Sequence, residues 1–195
     1  HSIDDIAVMR GFGNIEIYAP SCPLECRQII DYALAHLGPV YIRLDGKDLP
    51  QLHDENYQFR PGQIDVLREG NDIVLVAMGS TVHEAVSAAE QLHEQGISAG
   101  VIAIPSIRPC DTQRLQELLK HYPAVITVEE HNVNGGVGSL VAEVLAEGGC
   151  GIPLLRLGIP DGQYAIAGDR ASTRAHHGID AASVVKSAVR MCAGA

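Results

Sequence analysis

Two carboxylates and an imidazole stand in a row at Glu129-Glu130-His131, just ahead of a glycine-rich turn, Gly135-Gly136-Val137-Gly138-Ser139. Such a trio could hold a metal. A glycine turn that opens a helix could hold a phosphate, because the first N–H groups of a helix have no internal partners. The apolar run Ala124 to Val128 reads as the buried strand before the turn. Leu140, Val141, Val144 and Leu145 read as the buried face of the helix after it. Both chemical readings meet obstacles. The turn lacks GxGxxG spacing, no P-loop lysine follows, and Glu129 and Glu130 would oppose a bound phosphate. Adjacent residues at a strand end point to opposite sides, so no metal ligands are expected there or at His176-His177. The glycines read instead as the means by which the helix approaches its strand. His83 and His93 fall among polar neighbours on helices and read as solvated. There is no GxSxG elbow, and no cysteine has a histidine near it in sequence. These residues by themselves indicate an α/β domain with no complete active site.

The elements that position them alternate between strand and helix. Ser2 reads as the N-cap of a first helix with Ile3, Ile6 and Ala7 on one face. Ile15 to Ala19 is a strand. A helix with Pro23 in its first turn carries Cys26, Ile29, Ile30, Ala33, Leu34 and Leu37, and Gly38-Pro39 closes it. Val40 to Leu44 is the next strand. This βαβ pattern holds about 50 residues, too few to close a core alone, and is predicted to be the back half of a domain. The stretch from Gln51 to Gly70 is polar and irregular and reads as a linker. Ile73 to Ala77 and Val101 to Ile104 are strands flanking a helix opened by a Thr81-x-x-Glu84 capping box. Pro105 and Pro109 bracket a loop. Asp111 caps the following helix, Leu154 to Leu157 is a last strand, and Asp180 caps a last helix. The pattern predicts a mostly parallel, three-layer α/β/α C-terminal domain preceded by an incomplete α/β domain. Its expected bounds are 1–52 for the first part, 53–70 for the linker and 71–195 for the second part.

Composition narrows the function classes. The net charge is −10, and no basic stretch interrupts it, which argues against a nucleic-acid or anionic-membrane footprint. No apolar run is long enough to span a bilayer and no signal peptide is visible. Cys22, Cys26, Cys110, Cys150 and Cys192 contain no CxxC pair and read as reduced thiols of a cytosolic protein. The chain opens at His1-Ser2 directly before a helix, which reads as a cut.

Several phrases resemble one family. His1-Ser2-Ile3-Asp4-Asp5-Ile6-Ala7, Asn14-Ile15 to Pro20, and Gly38-Pro39-Val40-Tyr41-Ile42-Arg43-Leu44 resemble the end of the pyrimidine-binding domain of transketolase-type enzymes. Leu67-Arg68-Glu69-Gly70 with Ala77-Met78-Gly79-Ser80 resembles the opening of their C-terminal domain. Val128-Glu129-Glu130-His131, Gly135 to Ser139, Gly158-Ile159-Pro160-Asp161 and Gly178-Ile179-Asp180-Ala181 continue the likeness in order. The whole is most similar to the C-terminal section of a split bacterial transketolase. Deoxyxylulose-phosphate synthase and the β subunit of 2-oxo acid dehydrogenases are the enzyme alternatives, and an isolated assembly or ligand-binding module is the non-enzymatic one.

The resemblance implies a cytoplasmic transferase that uses thiamine diphosphate and Mg²⁺ to pass a two-carbon ketol unit from a ketose to an aldose. It implies an N-terminal partner section, a homodimer, and sugar or sugar-phosphate substrates. The family's catalytic Glu and its cofactor and metal ligands would lie upstream of His1 or in the partner. No cofactor-binding or metal-binding residue is therefore expected in this chain, which alone should be inactive. His1 would face the substrate near the reacting carbon and donate to the developing alkoxide or shuttle a proton. Gly46 stands where the family commonly has a phosphate-binding Arg. Arg43 and Lys47 are the nearby cations, with Arg43 expected to be structural. In this family the Gly135 to Ser139 turn would serve packing and an interface.

Overall fold

The computed structural model describes residues 2–45, 49–162 and 167–194. In chain order the elements are α1 (Asp5–Arg10), β1 (Glu16–Tyr18), α2 (Pro23–Ala35), β2 (Val40–Ile42), β3 (Asp65–Arg68), β4 (Ile73–Ala77), α3 (Thr81–Glu94), β5 (Ala99–Ala103), β6 (Ser106–Arg108), α4 (Thr112–Leu119), β7 (Val125–Asn132), α5 (Val137–Glu147), β8 (Leu154–Ile159), α6 (Arg170–His177) and α7 (Ala181–Ala193).

Continuous apolar strands can be buried only between two helical layers. β4 and β5 are such strands, buried at every position. They sit inside a five-stranded sheet of order β3-β5-β4-β7-β8, parallel except for the edge strand β3. The alternation of side chains sorts the core into two halves. Ile73, Leu75 and Ala77 of β4 pack toward α3 and α7, with Val82, Ala85, Leu92, Val184 and Ala188. Val74 and Val76 pack toward α4 and α5, with Leu115, Leu119, Val141 and Val144. The predicted three-layer α/β/α arrangement is thus the fold.

The first part pairs β1 and β2 in parallel across α2, as the βαβ pattern predicts. Its inner residues Ile6, Ile17 and Ala19 join the same core cluster as Val74 and Ile102, so this part is buried against the larger sheet. Its own sheet is β2-β1-β6, and its third strand comes from far along the chain.

Four local expectations are corrected. The loop bracketed by Pro105 and Pro109 holds β6, antiparallel to β1, with Tyr18 opposite Ser106. The stretch read as irregular, Gln51 to Gly70, ends in β3, which borders β5. Ser2 is not the cap of α1: the helix starts at Asp5, and Asp4 precedes it without a side-chain bond. The Thr81-x-x-Glu84 capping box does not form. Ser80 holds the cap position, Thr81 Oγ1 donates to the Met78 and Val128 carbonyls at 2.8 Å, and Glu84 is drawn to Arg174. Asp111 and Asp180 do cap α4 and α7, accepting from Arg114 and Ser183 N–H. Among the described residues no helix is long and apolar enough to cross a membrane, and all five cysteines are free thiols.

Candidate functional site

In an open α/β sheet, ligands bind beyond the carboxyl ends of the strands, where neighbouring strands connect to opposite sides. Here that point lies between β4 and β7, since β5 lies on one flank of β4 and β7 on the other. Gly79-Ser80 follows β4, and Glu129-Glu130-His131 belongs to the end of β7, so the trio occupies the position where a ligand would be sought.

Glu129 is fully buried. Its carboxylate accepts from the N–H groups of Val137 at 2.8 Å and Gly138 at 3.0 Å, at the start of α5. The glycines make room for it. A Cβ on Gly138 would lie 2.8 Å from Glu129 Oε1, and one on Gly136 would overlap the same carboxylate. Gly135, at φ +87°, lies against Ala7 of α1, whose Cβ a side chain there would strike. The turn is thus a cradle already filled by the Glu129 carboxyl. Burial pushes this carboxyl up to about 7, against the pull of the two N–H donors.

His131 also turns inward, with Nδ1 3.8 Å from Glu129 Oε2. Nδ1 lies 2.7 Å from the Asn132 carbonyl, while Nε2 accepts from Ala7 N–H at 3.3 Å. These partners assign the proton to Nδ1, and burial favours the neutral ring. The imidazole therefore caps the first turn of α1.

Glu130 points the other way, as strand alternation requires. It accepts from Arg170 Nε at 3.0 Å and Arg174 Nε at 2.7 Å. Arg174 also pairs with Glu84 at 2.8 Å, and both arginines donate to Ser80 Oγ at 2.6 Å. Ser80 N–H donates to Asp45 at 2.8 Å, and Arg170 pairs with Asp45 at 3.0 Å. Burial opposes ionisation of Asp45, but the Ser80 hydrogen bonds and Arg170 hold its carboxyl below the ordinary value. A second helix start, that of α3, is thus also filled by a carboxylate of this chain.

His1, Gly46 and Lys47 lie outside the described residues. Arg43 is committed to Asp5 at 3.1 Å and to the Glu130 carbonyl at 2.7 Å. His93 is exposed, but His83 is not solvated as expected: it is half-buried, with Nε2 2.8 Å from the Ser21 carbonyl. Arg170 and Arg174 were not anticipated from sequence. Their one signal is spacing, two arginines four apart behind Asp169, which caps α6 by accepting from Ser172 N–H.

The fold has known counterparts. Residues 62–184 match the transketolase C-terminal domain family. The chain is 65% identical, over 98% of its length, to one subunit of the apulose-4-phosphate transketolase of Actinobacillus succinogenes, and spans 61% of that relative. It is 33% identical, over 97% of its length, to the like-named protein of Phocaeicola vulgatus, and spans 60% of it. A split-gene transketolase, solved as an inactive β4 tetramer, superposes on 97% of the chain with a TM-score of 0.87 at 35% identity, and the chain covers 61% of it. With the domain matched over most of the chain, the protein belongs to the transketolase family.

Proposed function

We propose that this chain is the C-terminal portion of a thiamine-diphosphate-dependent transketolase that passes a two-carbon ketol unit from a ketose to an aldose together with an N-terminal partner. What carries this reading is the unbroken likeness, in sequence and in fold, to subunits of split transketolases over 97–98% of the chain. The relative's name suggests the donor class, a phosphorylated branched ketose such as apulose 4-phosphate. Since Gly46 stands in place of the usual Arg, other residues would grip that phosphate.

A diphosphate needs free N–H donors or uncommitted cations, and Mg²⁺ needs carboxylate oxygens with room for water. Among the described residues the crevice offers neither. Asp45 and Glu129 fill the two helix starts, and Glu130, Arg170 and Arg174 satisfy one another. These residues do not fit the cofactor or its metal. In this reading they are the scaffold, and other residues of the assembly hold both. A dimeric, cytoplasmic enzyme is part of the same reading.

The test is reconstitution. The full-length protein, its N-terminal partner, thiamine diphosphate and Mg²⁺ should together transfer two carbons from apulose 4-phosphate, and neither protein should do so alone. Failure with every ketose donor tried would overturn the proposal. His1→Ala in the reconstituted enzyme should lower kcat and leave cofactor affinity nearly unchanged. An unaltered kcat would remove His1 from the mechanism.

A further inference from the structure

Away from the crevice, the chain beyond β2 crosses the start of α2 and builds a cluster of a different chemistry. Cys22 is the residue before α2, Glu25 lies in its first turn, and His53 comes from the crossing segment. One ligating atom from each, a thiol sulfur, a carboxylate oxygen and an imidazole nitrogen, all lie within 4.8 Å of one another. Cys22 and Glu25 are buried, while His53 keeps an edge toward solvent. His53 Nε2 is 2.5 Å from Glu25 Oε1. The supporting groups are in place: Ser21 donates to Glu25 through its N–H at 2.6 Å and its hydroxyl at 2.9 Å, and Tyr57 stacks on the imidazole with centroids 3.8 Å apart. His53 also lines an open cleft of about 400 Å³ with Leu24, Arg27, Gln51 and Glu55.

We propose that Cys22, Glu25 and His53 form a binding site for Zn²⁺, with the fourth coordination position open to the cleft. A thiolate, an imidazole and a carboxylate together suit a borderline-soft cation, whereas Mg²⁺ would decline the sulfur. Bonds of about 2.0–2.3 Å in a tetrahedron set ligand atoms about 3.3–3.8 Å apart, so side-chain shifts of about 1 Å convert the cluster into a ligand set. On binding, the Cys22 sulfur–hydrogen bond is exchanged for a sulfur–zinc bond and its proton leaves to solvent. His53 and Glu25 each give a lone pair, and any proton they share leaves as well. The metal would take over the role of the His53–Glu25 contact, clamping the crossing segment to α2. Ser21 hydrogen-bonds Glu25, the kind of outer support metal ligands ordinarily have, and the Tyr57 ring fixes the plane of His53 by stacking.

The experiment uses the full-length protein stripped of metal, with Co²⁺ as a spectroscopic probe and Zn²⁺ competed against a chelating dye. One equivalent of Co²⁺ should give a thiolate-to-cobalt charge-transfer band in the near ultraviolet, and Zn²⁺ should abolish it. Cys22→Ser should remove the band, and His53→Gln should weaken Zn²⁺ binding at least tenfold. Cys26→Ser and Cys110→Ser should keep both. Circular dichroism of each metal-free variant separates lost folding from lost ligation, and if Cys22→Ser does not fold, His53→Gln at the cleft edge decides. Absence of the band, its survival in Cys22→Ser, or undiminished Zn²⁺ affinity in His53→Gln would overturn the proposal and leave the cluster as a metal-free ion pair.

Discussion

Residues 2–45 and residues 65–194 bury their apolar surface in different ways. The larger region closes both faces of its sheet, with α3 and α7 on one side and α4 and α5 on the other. The smaller region is closed on one side only. Ile6, Ile17 and Ala19 join the common core, while Phe12, Leu34, Leu37 and Leu44 lie open, Leu34 at 82% and Leu37 at 104% exposure. Its outer strand β2 has no neighbour beyond it among the described residues. Exposed aliphatic side chains beside an open strand edge mark a surface suited to association. The larger region thus seals its α3–α7 side by itself and shares the other side with the smaller region, which leaves several apolar side chains exposed.

That contrast can be broken or sharpened by substitution. Leu92→Ala, in the sealed layer under α3, should cost about 3 kcal/mol in chemical denaturation, the ordinary toll of an emptied core site. A loss near zero would show that the sealed region does not carry the stability. Arg174→Ala should cost about 2 kcal/mol, because Glu130, Glu84 and Ser80 lose a shared donor. Adding Glu130→Gln to that variant should restore part of it. The pH dependence comes next. The folded Glu129 carboxyl sits at about 7, above its ordinary value of 4.5, so the folded state holds this proton more tightly than the unfolded state. Stability from this group is therefore fully present below about pH 4.5 and is lost as pH rises toward 7, a fall of about 3 kcal/mol. Glu129→Gln should flatten the fall, and an unchanged slope would assign it to another group. The smallest effect belongs to the open face. Leu37→Ser should change stability by no more than about 0.5 kcal/mol and should reduce self-association in sedimentation.

The order of strands and helices was legible because hydrophobic period and cap residues agree over most of the chain: Asp111 and Asp180 start helices, and the glycine turn lies between β7 and α5. What escaped was short or locally weak. β3 and β6 are only a few residues long, and β6 sits between Pro105 and Pro109, so no alternation announces them, and pairing with distant strands decides their conformation. α6 carries arginines and histidines without an apolar stripe. The Thr81-x-x-Glu84 motif failed because Arg174 and the Ala181 N–H compete for Glu84. The obstacle seen in the acidic lead-in to the glycine turn was real, yet its cause could be read only in three dimensions: the Glu129 carboxyl itself fills the turn. The approach of His53 to Cys22 is invisible to any search by sequence proximity.

The exchange of β6 between sheets has a mechanical consequence. Arg108 reaches the carbonyls of Arg10 and Phe12, Ala19 N–H donates to the Pro105 carbonyl, and Gly79 N–H donates to the Ala19 carbonyl. The crossing segment, residues 49–64, is therefore a strap and not a hinge. Severing it would leave two pieces that still travel as one particle, and a load applied to the outer face of α2 would pass through β1 and β6 into the larger sheet with little slack.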